Sequence, residues 1–543
     1  MSEINENKSQ ASDKIKLSKF TYALIERLKS IKPKARPDDL SKLAVSQTVS
    51  FFAIVYEKIR NAVEYHEDHL IRRSAIERIV RRRLMINPNG KGEGENILRE
   101  LLWARYFDAD MVGAKDAAKV QDIIDKVILL RHLTVIGRES QTRQYLSEFL
   151  LDILTCEIEE TLNPEGTAKN ATFTYFIFQV LRQKIKLEGL NESQRDAYFL
   201  AALEKAYRRS DKSYQRYHLF TTFFRPIHEY SEEEIHELAT NLPSAFKKID
   251  EIIQSPYVEN LTRFTRKQLP PFLILFELIK TKFKDINTIL SDKIRLWNEI
   301  DVTCRERYQQ INRRLRNLAV RSFIYIFLTK MLFALILEYP VSMYLYNEVN
   351  TVSIAINSIF PPILMLIIIS FFRPLGEENT RKIYNRTIEI IDADKSFETT
   401  VSYMPKKPKA KKPILIFGFT IFYSFTFIVT LTLIYEFLTF LNFNLVSQFI
   451  FLFFISVVTF FSYRIKQIVN EYRLEDKESV LSPIIDFFFM PVLSLGKFFS
   501  GGLAKLNFFI LILDFIIEAP FKFIFEIIEE WISFVKRRKE EII

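Results

Sequence analysis

Two patterns of apolar residues divide the chain. Up to about residue 320, apolar side chains recur every three or four positions among charged ones, the spacing of amphipathic helices. Val45, Val49, Phe52, Ile59 and Val63 share one such stripe. Turn residues interrupt the pattern in "INPNGKGEGEN" at 86–96, "NPEG" at 163–166, "LEGLNES" at 187–193 and "SPY" at 255–257. After Ser322 the pattern becomes long apolar runs. Four of them reach the roughly 20 residues that cross hydrocarbon: Phe323–Tyr346, Val352–Phe372, Ile414–Leu438 and Leu445–Tyr463. The chain therefore reads as all-α. A large helical domain spans residues 1–285, and an amphipathic segment at 286–321 leads into the first span.

That leading segment has the cleanest periodicity. Ile294, Trp297, Cys304, Tyr308, Ile311, Leu315 and Leu318 fall on the a and d positions of one heptad frame, interrupted by Asp301. A coiled coil would use this frame. An amphipathic helix packed on its own domain would use it too. Neither Gly nor Pro separates it from the first span, so the helix is expected to run unbroken into the bilayer.

The flanks give an orientation. Arg305, Arg307, Arg313, Arg314, Arg316 and Arg321 precede the first span. A basic loop at 373–413 joins the second and third spans, and it includes Lys406, Lys407, Lys409, Lys411 and Lys412. Arg464, Lys466 and Arg473 follow the fourth. The connections "NEVNTVS" and "TFLNFN" carry no Lys or Arg. By the positive-inside rule the four spans form two hairpins of a cytoplasmic membrane, with both termini in the cytoplasm. The five lysines are placed to meet anionic lipid headgroups.

The stretch 480–543 differs. From Asn507 the polar residues Asp514, Glu518, Lys522, Glu526, Glu529, Ser533 and Lys536 form one narrow stripe among Phe, Ile and Leu. Such a helix is expected to lie in the membrane interface. "SPIIDFFFMPVLSLGKFF" before it either lies flat or dips in and returns.

Composition adds exclusions. Two cysteines, Cys156 and Cys304, argue against a disulfide scaffold or a thiolate metal site. With 12 glycines in 543 residues, against a usual share of about 7%, glycine-rich phosphate loops have little to be built from. The net charge of +10 suits an anionic membrane surface, which the spans already imply. Nucleic acid is not the expected partner, because the aromatic interleaving of such platforms is missing.

Local motifs are weak. "NGKGEGE" lacks the order of a phosphate loop and reads as a helix–helix turn. His66 and His69 in "YHEDH" have no matching second metal motif. In "HEYSEEEIH", Ser231 and Glu234 have capping-box spacing. The crowd Arg72, Arg73, Arg78, Arg81, Arg82 and Arg83 faces Glu77 alone along the sequence. It reads as a solvated helix end or as a patch for an anionic partner. No catalytic constellation and no cofactor motif can be assembled.

Two charges interrupt the first span, Lys330 and Glu338. They are eight residues apart, about 12 Å along a helix, so they are not expected to pair within the span. The simpler expectation sends Lys330 snorkelling to one surface and leaves Glu338 near the other, beside Pro340. In the sharper expectation both face a shared interior with Glu436 of the third span and serve ion or proton passage. Thr420, Ser424 and Thr430 add polar groups to that third span. From sequence, a scaffold, assembly or signalling component comes first, recruiting a protein partner or a second copy through its helical domain. An ion channel or transporter comes second.

Overall fold

The structure is a computed structural model. It describes residues 14–34, 67–187, 189–347, 350–370, 375–392, 413–474 and 489–499, with Trp531 and Val535. Among these, regular structure is helical throughout, apart from isolated bridges. The stripe at Val45–Val63, the five loop lysines and the Asn507–Lys536 stripe lie outside the described residues. The chain divides into two compact units, one built around Leu17–Arg266 and one around Lys267–Ile390 and Lys406–Ile517.

In the first unit the described helices are α1 (Lys19–Ser30), α2 (Asp68–Ile86), α3 (Glu93–Trp103), α4 (Ala114–Val135), α5 (Ser140–Leu162), α6 (Pro164–Arg182), α7 (Glu192–Leu203), α8 (Lys212–Phe223) and α9 (Glu232–Gln254). The sequence breaks fall where expected. Gly90 and Gly92 take φ of +63° and +76° in the α2–α3 turn, a region that side chains with a Cβ disfavour. Ser231 and Glu234 make the predicted capping box. Pro164 opens α6 at the position where a missing N–H costs nothing. The long helix α5 lies centrally and touches α2, α4 and α8. Phe149 on α5 stacks on Phe246 of α9, with ring centroids 3.8 Å apart.

The next helix, α10 (Pro256–Thr281), contains the division between the units. In the second unit, α11 (Ile286–Ser291) is short, and α12 (Lys293–Phe333) is capped by Asp292, which accepts from the N–H groups of Ile294 and Arg295. A π-type turn, Ala334–Glu338, joins α12 to α13 (Tyr339–Tyr346), giving 54 continuous helical residues. Then follow α14 (Thr351–Ser370), α15 (Glu377–Ile391), α16 (Pro413–Phe440), α17 (Leu445–Asn470) and α18 (Phe489–Phe499). Four helices are long and apolar enough to cross a membrane: Lys293–Tyr346, Thr351–Ser370, Phe417–Phe440 and Leu445–Ser462.

The heptad frame is met in part. Cys304, Tyr308, Ile311 and Leu315 are buried, but Ile294 is 61% exposed. Leu296 and Ile300 take the inward positions instead. From Leu296 to Leu315 the inward stripe steps by four, four, four, three and four residues, longer than the 3.5-residue period of a heptad seam. It packs within its own unit. Trp297 meets Tyr384 of α15 edge-on, and Asn379 of α15 donates to the Tyr308 hydroxyl at 2.7 Å.

Candidate functional site

The first span's geometry begins at Pro340. Proline has no N–H for the Ile336 carbonyl, and its ring crowds that oxygen. The turn before it widens to the π form, which holds about one residue more than the 3.6 of an α turn. One α turn and one π turn therefore take about eight residues. Lys330 and Glu338 come onto the same face, two turns apart, instead of diverging by the roughly 80° that a regular α-helix would impose.

The ammonium of Lys330 donates to Glu338 Oε2 at 3.0 Å, and both side chains are 0% exposed. This overturns two expectations. The pair does form within one span, because the widened turn aligns it and the extended lysine stem bridges the rise. Lys330 does not snorkel, because the protein itself encloses it. Its ammonium lies over the ring of Phe454, 4.9 Å from the centroid.

Two further helices complete the site. Asn357 on α14 donates from Nδ2 to Glu338 Oε1 at 2.6 Å and to the Ser447 carbonyl of α17 at 3.1 Å. Ser447 in turn donates its backbone N–H to Asn444 Oδ1 at 2.8 Å, and Asn444 Nδ2 donates to Ser342 Oγ of α13 at 3.0 Å. Close by, Asn350 caps α14 and donates to the Asn442 carbonyl at 3.3 Å. Hydrogen bonds thus run from the short connections down to the ion pair. Asn357 Oδ1, Ser447 Oγ and Ser456 Oγ are buried without a partner among the described residues. Ser456, Thr459 and Ser462 of α17 are also buried, Ser456 on the side of that helix that packs against Gly496 of α18. Leu335, Ile336 and Leu337 point outward from the same π turn. The span is therefore polar within and apolar without.

Glu436 does not join this group. It is exposed on α16 and makes no hydrogen bond or ion pair with the described residues. Thr420 and Ser424 are also exposed. The polar partners that matter sit on the second and fourth spans, and sequence reasoning missed them. Asn357, the one amide within Thr351–Ser370, was the available signal.

At the opposite end of the bundle a second amide ties the helices together. Asn379 donates to the Tyr472 carbonyl at 2.8 Å and accepts from the Leu474 N–H at 2.9 Å, besides its bond to Tyr308. One side chain on α15 thus holds α12 and the chain just past α17.

The first unit carries its charge inside. Arg72 pairs with Glu159, Arg73 with Glu77 and Asp211, Arg81 with Glu77, and Arg82 and Arg83 with Glu100. Arg78 reaches Ser74 and Tyr106. The arginine crowd that seemed opposed by Glu77 alone meets carboxylates brought from α3, α5 and the start of α8. Deeper in, His218 points one ring nitrogen at Glu204 and the other at Glu160, at 2.8 and 2.9 Å. Burial opposes the charges. Glu204 and Glu160 nevertheless hold His218 above its usual range, while His218 and Arg208 keep Glu204 down to about 2. His69, half-buried edge-on to Tyr214, is lowered to about 4 by that burial and by Arg208 and Arg72. No group of three metal-binding side chains occurs among the described residues.

No family model, curated protein or solved structure matches this chain.

Proposed function

We propose that the protein moves an ion across the membrane and that Lys330 and Glu338 are the groups the ion meets. One observation supports this reading above the others: a neutralised ion pair enclosed by three spans is joined, through Asn357, Ser447 and Asn444, to the end of the bundle with the short connections. An interior ionisable pair in hydrocarbon is expensive to keep and marks ion or proton pathways. In this reading the protein is a multi-pass protein of the cytoplasmic membrane with both termini inside. Its helical domain lies in the cytoplasm, and Lys406, Lys407, Lys409, Lys411 and Lys412 lie against anionic headgroups. The test is ion-gradient-driven current from the full chain in proteoliposomes on a supported membrane. Current above that of protein-free vesicles, lost in Glu338→Gln, is the expected result. Identical traces with and without protein would remove the reading.

A second reading, a membrane scaffold or signalling component, draws on a different observation. The 54-residue helix Lys293–Tyr346 is continuous, and Asn379 clasps its charged half, an arrangement suited to carrying a displacement along a stiff rod. Recovery of a stoichiometric protein partner with full-length protein that carries no current would favour it.

A further inference from the structure

We infer that the ion is a proton and that Glu338 carries it, an inference that rests on the transport reading above. The donor set decides the ion. A metal cation wants a shell of oxygens, about six for the divalent ones. Here one carboxylate oxygen faces an ammonium at 3.0 Å and the other an amide N–H at 2.6 Å. A cation entering this site meets Lys330, and an anion meets Glu338. A proton needs neither a shell nor a cavity, and it binds the carboxylate directly. No charged group of α13, α14 or the Leu445–Ser462 part of α17 competes, because these carry none.

Water brings the proton to Glu338. Asn357 Oδ1 and Ser447 Oγ have no partner among the described residues, and they belong to residues 0% and 1% exposed. They sit where the hydrogen-bonded chain from Asn444 meets the pair. In the proposed route a water bonded to one of them stands between Asn444 and the carboxylate. Hydronium on that side gives its proton to a Glu338 oxygen: one O–H bond forms on the carboxylate, one breaks on hydronium, and water remains. Lys330 keeps its proton and its place over Phe454. The reverse transfer, to water on the opposite side of the membrane, returns the carboxylate to the ammonium.

The experiment uses the full chain in liposomes with a pH dye inside and a potassium gradient set by valinomycin. The inference expects lumen acidification with wild type. Glu338→Gln should lose it to the level of protein-free vesicles. Ser447→Ala removes only a hydroxyl without a protein partner, so it should slow acidification without loss of helical content. It carries the test if Glu338→Gln fails to fold. Movement of sodium or chloride at constant lumen pH would overturn the proton while leaving transport standing. Folded wild-type protein that moves no ion would overturn transport itself. Wild-type acidification rates in either variant would overturn the route through Glu338.

Discussion

Breaking the Lys330–Glu338 pair one side at a time should cost more than removing it whole. Lys330→Met keeps the stem and deletes the charge, leaving Glu338 enclosed with only the Asn357 bond. The carboxylate can escape by taking a proton, which from an ordinary value near 4.3 costs about 3.7 kcal/mol at pH 7. Glu338→Gln strands the ammonium. Shedding its proton from an ordinary value near 10.4 costs about 4.6 kcal/mol at pH 7, and the Phe454 ring offsets about 0.5–2 kcal/mol if the charge is kept. Each single variant should therefore lose about 3–4 kcal/mol, in line with other broken buried pairs. The double variant leaves no charge behind, and its glutamine still accepts from Asn357. It should lose about 1–2 kcal/mol, the scale of a net hydrogen bond or two. The assay is equilibrium unfolding of the four proteins in one detergent, followed by circular dichroism. A coupling energy below about 1 kcal/mol, the scale of exposed pairs, would refute the enclosed pair.

Four further outcomes follow from the same structure. His69 has a folded pKa of about 4, below its unfolded 6.5, so the unfolded chain binds more protons between those values. Stability should fall as pH drops from 6.5 towards 4, by up to about 3 kcal/mol, and His69→Gln should flatten that loss in pH-dependent unfolding of the full chain. His218 has the opposite sign: its raised value gives stability that is complete below about pH 6.5 and lost as pH rises through the folded value. Arg216 chelates Asp250, reaches Asp152 at 2.7 Å and lies 4.4 Å from the Phe149 ring centroid. Arg216→Met should cost about 3–5 kcal/mol in the same measurement, with Lys recovering only part of it. A Cβ on Gly496 of α18 would meet the Ser456 carbonyl oxygen of α17. Gly496→Ala should therefore lower the unfolding temperature of the full chain, read by circular dichroism in detergent, and an unchanged temperature would contradict the close approach of α18 to α17.

The spans were legible because length and apolarity are local properties. All four appear in the structure with ends shifted by a few residues, and the first continues back to Lys293 without a break. The capping box at Ser231 and the glycine turn after α2 were legible for the same reason. The ion pair was not. Its alignment depends on one extra residue in the turn ahead of Pro340, and a fixed 3.6-residue ruler places the two charges on different faces. The arginines on α2 show a second limit. Their partners Glu100, Glu159 and Asp211 lie 17 to 138 residues away along the chain, so neighbours in sequence gave only Glu77. Glu436 shows a third: depth along a span can be guessed from sequence, but which way the side chain faces depends on packing.

Reagent access to Ser447 tests most directly whether the polar interior is a pathway. Ser447→Cys in the full chain would be exposed to a membrane-impermeant thiosulfonate from each side in turn, with Cys156 and Cys304 replaced. Asn350→Cys serves as an exposed control, and Leu366→Cys, on the apolar outer face of α14, as a lipid-facing one. The account predicts that Ser447→Cys reacts from the same side as Asn350→Cys, more slowly than it but faster than Leu366→Cys. Reaction no faster than Leu366→Cys from either side would contradict it.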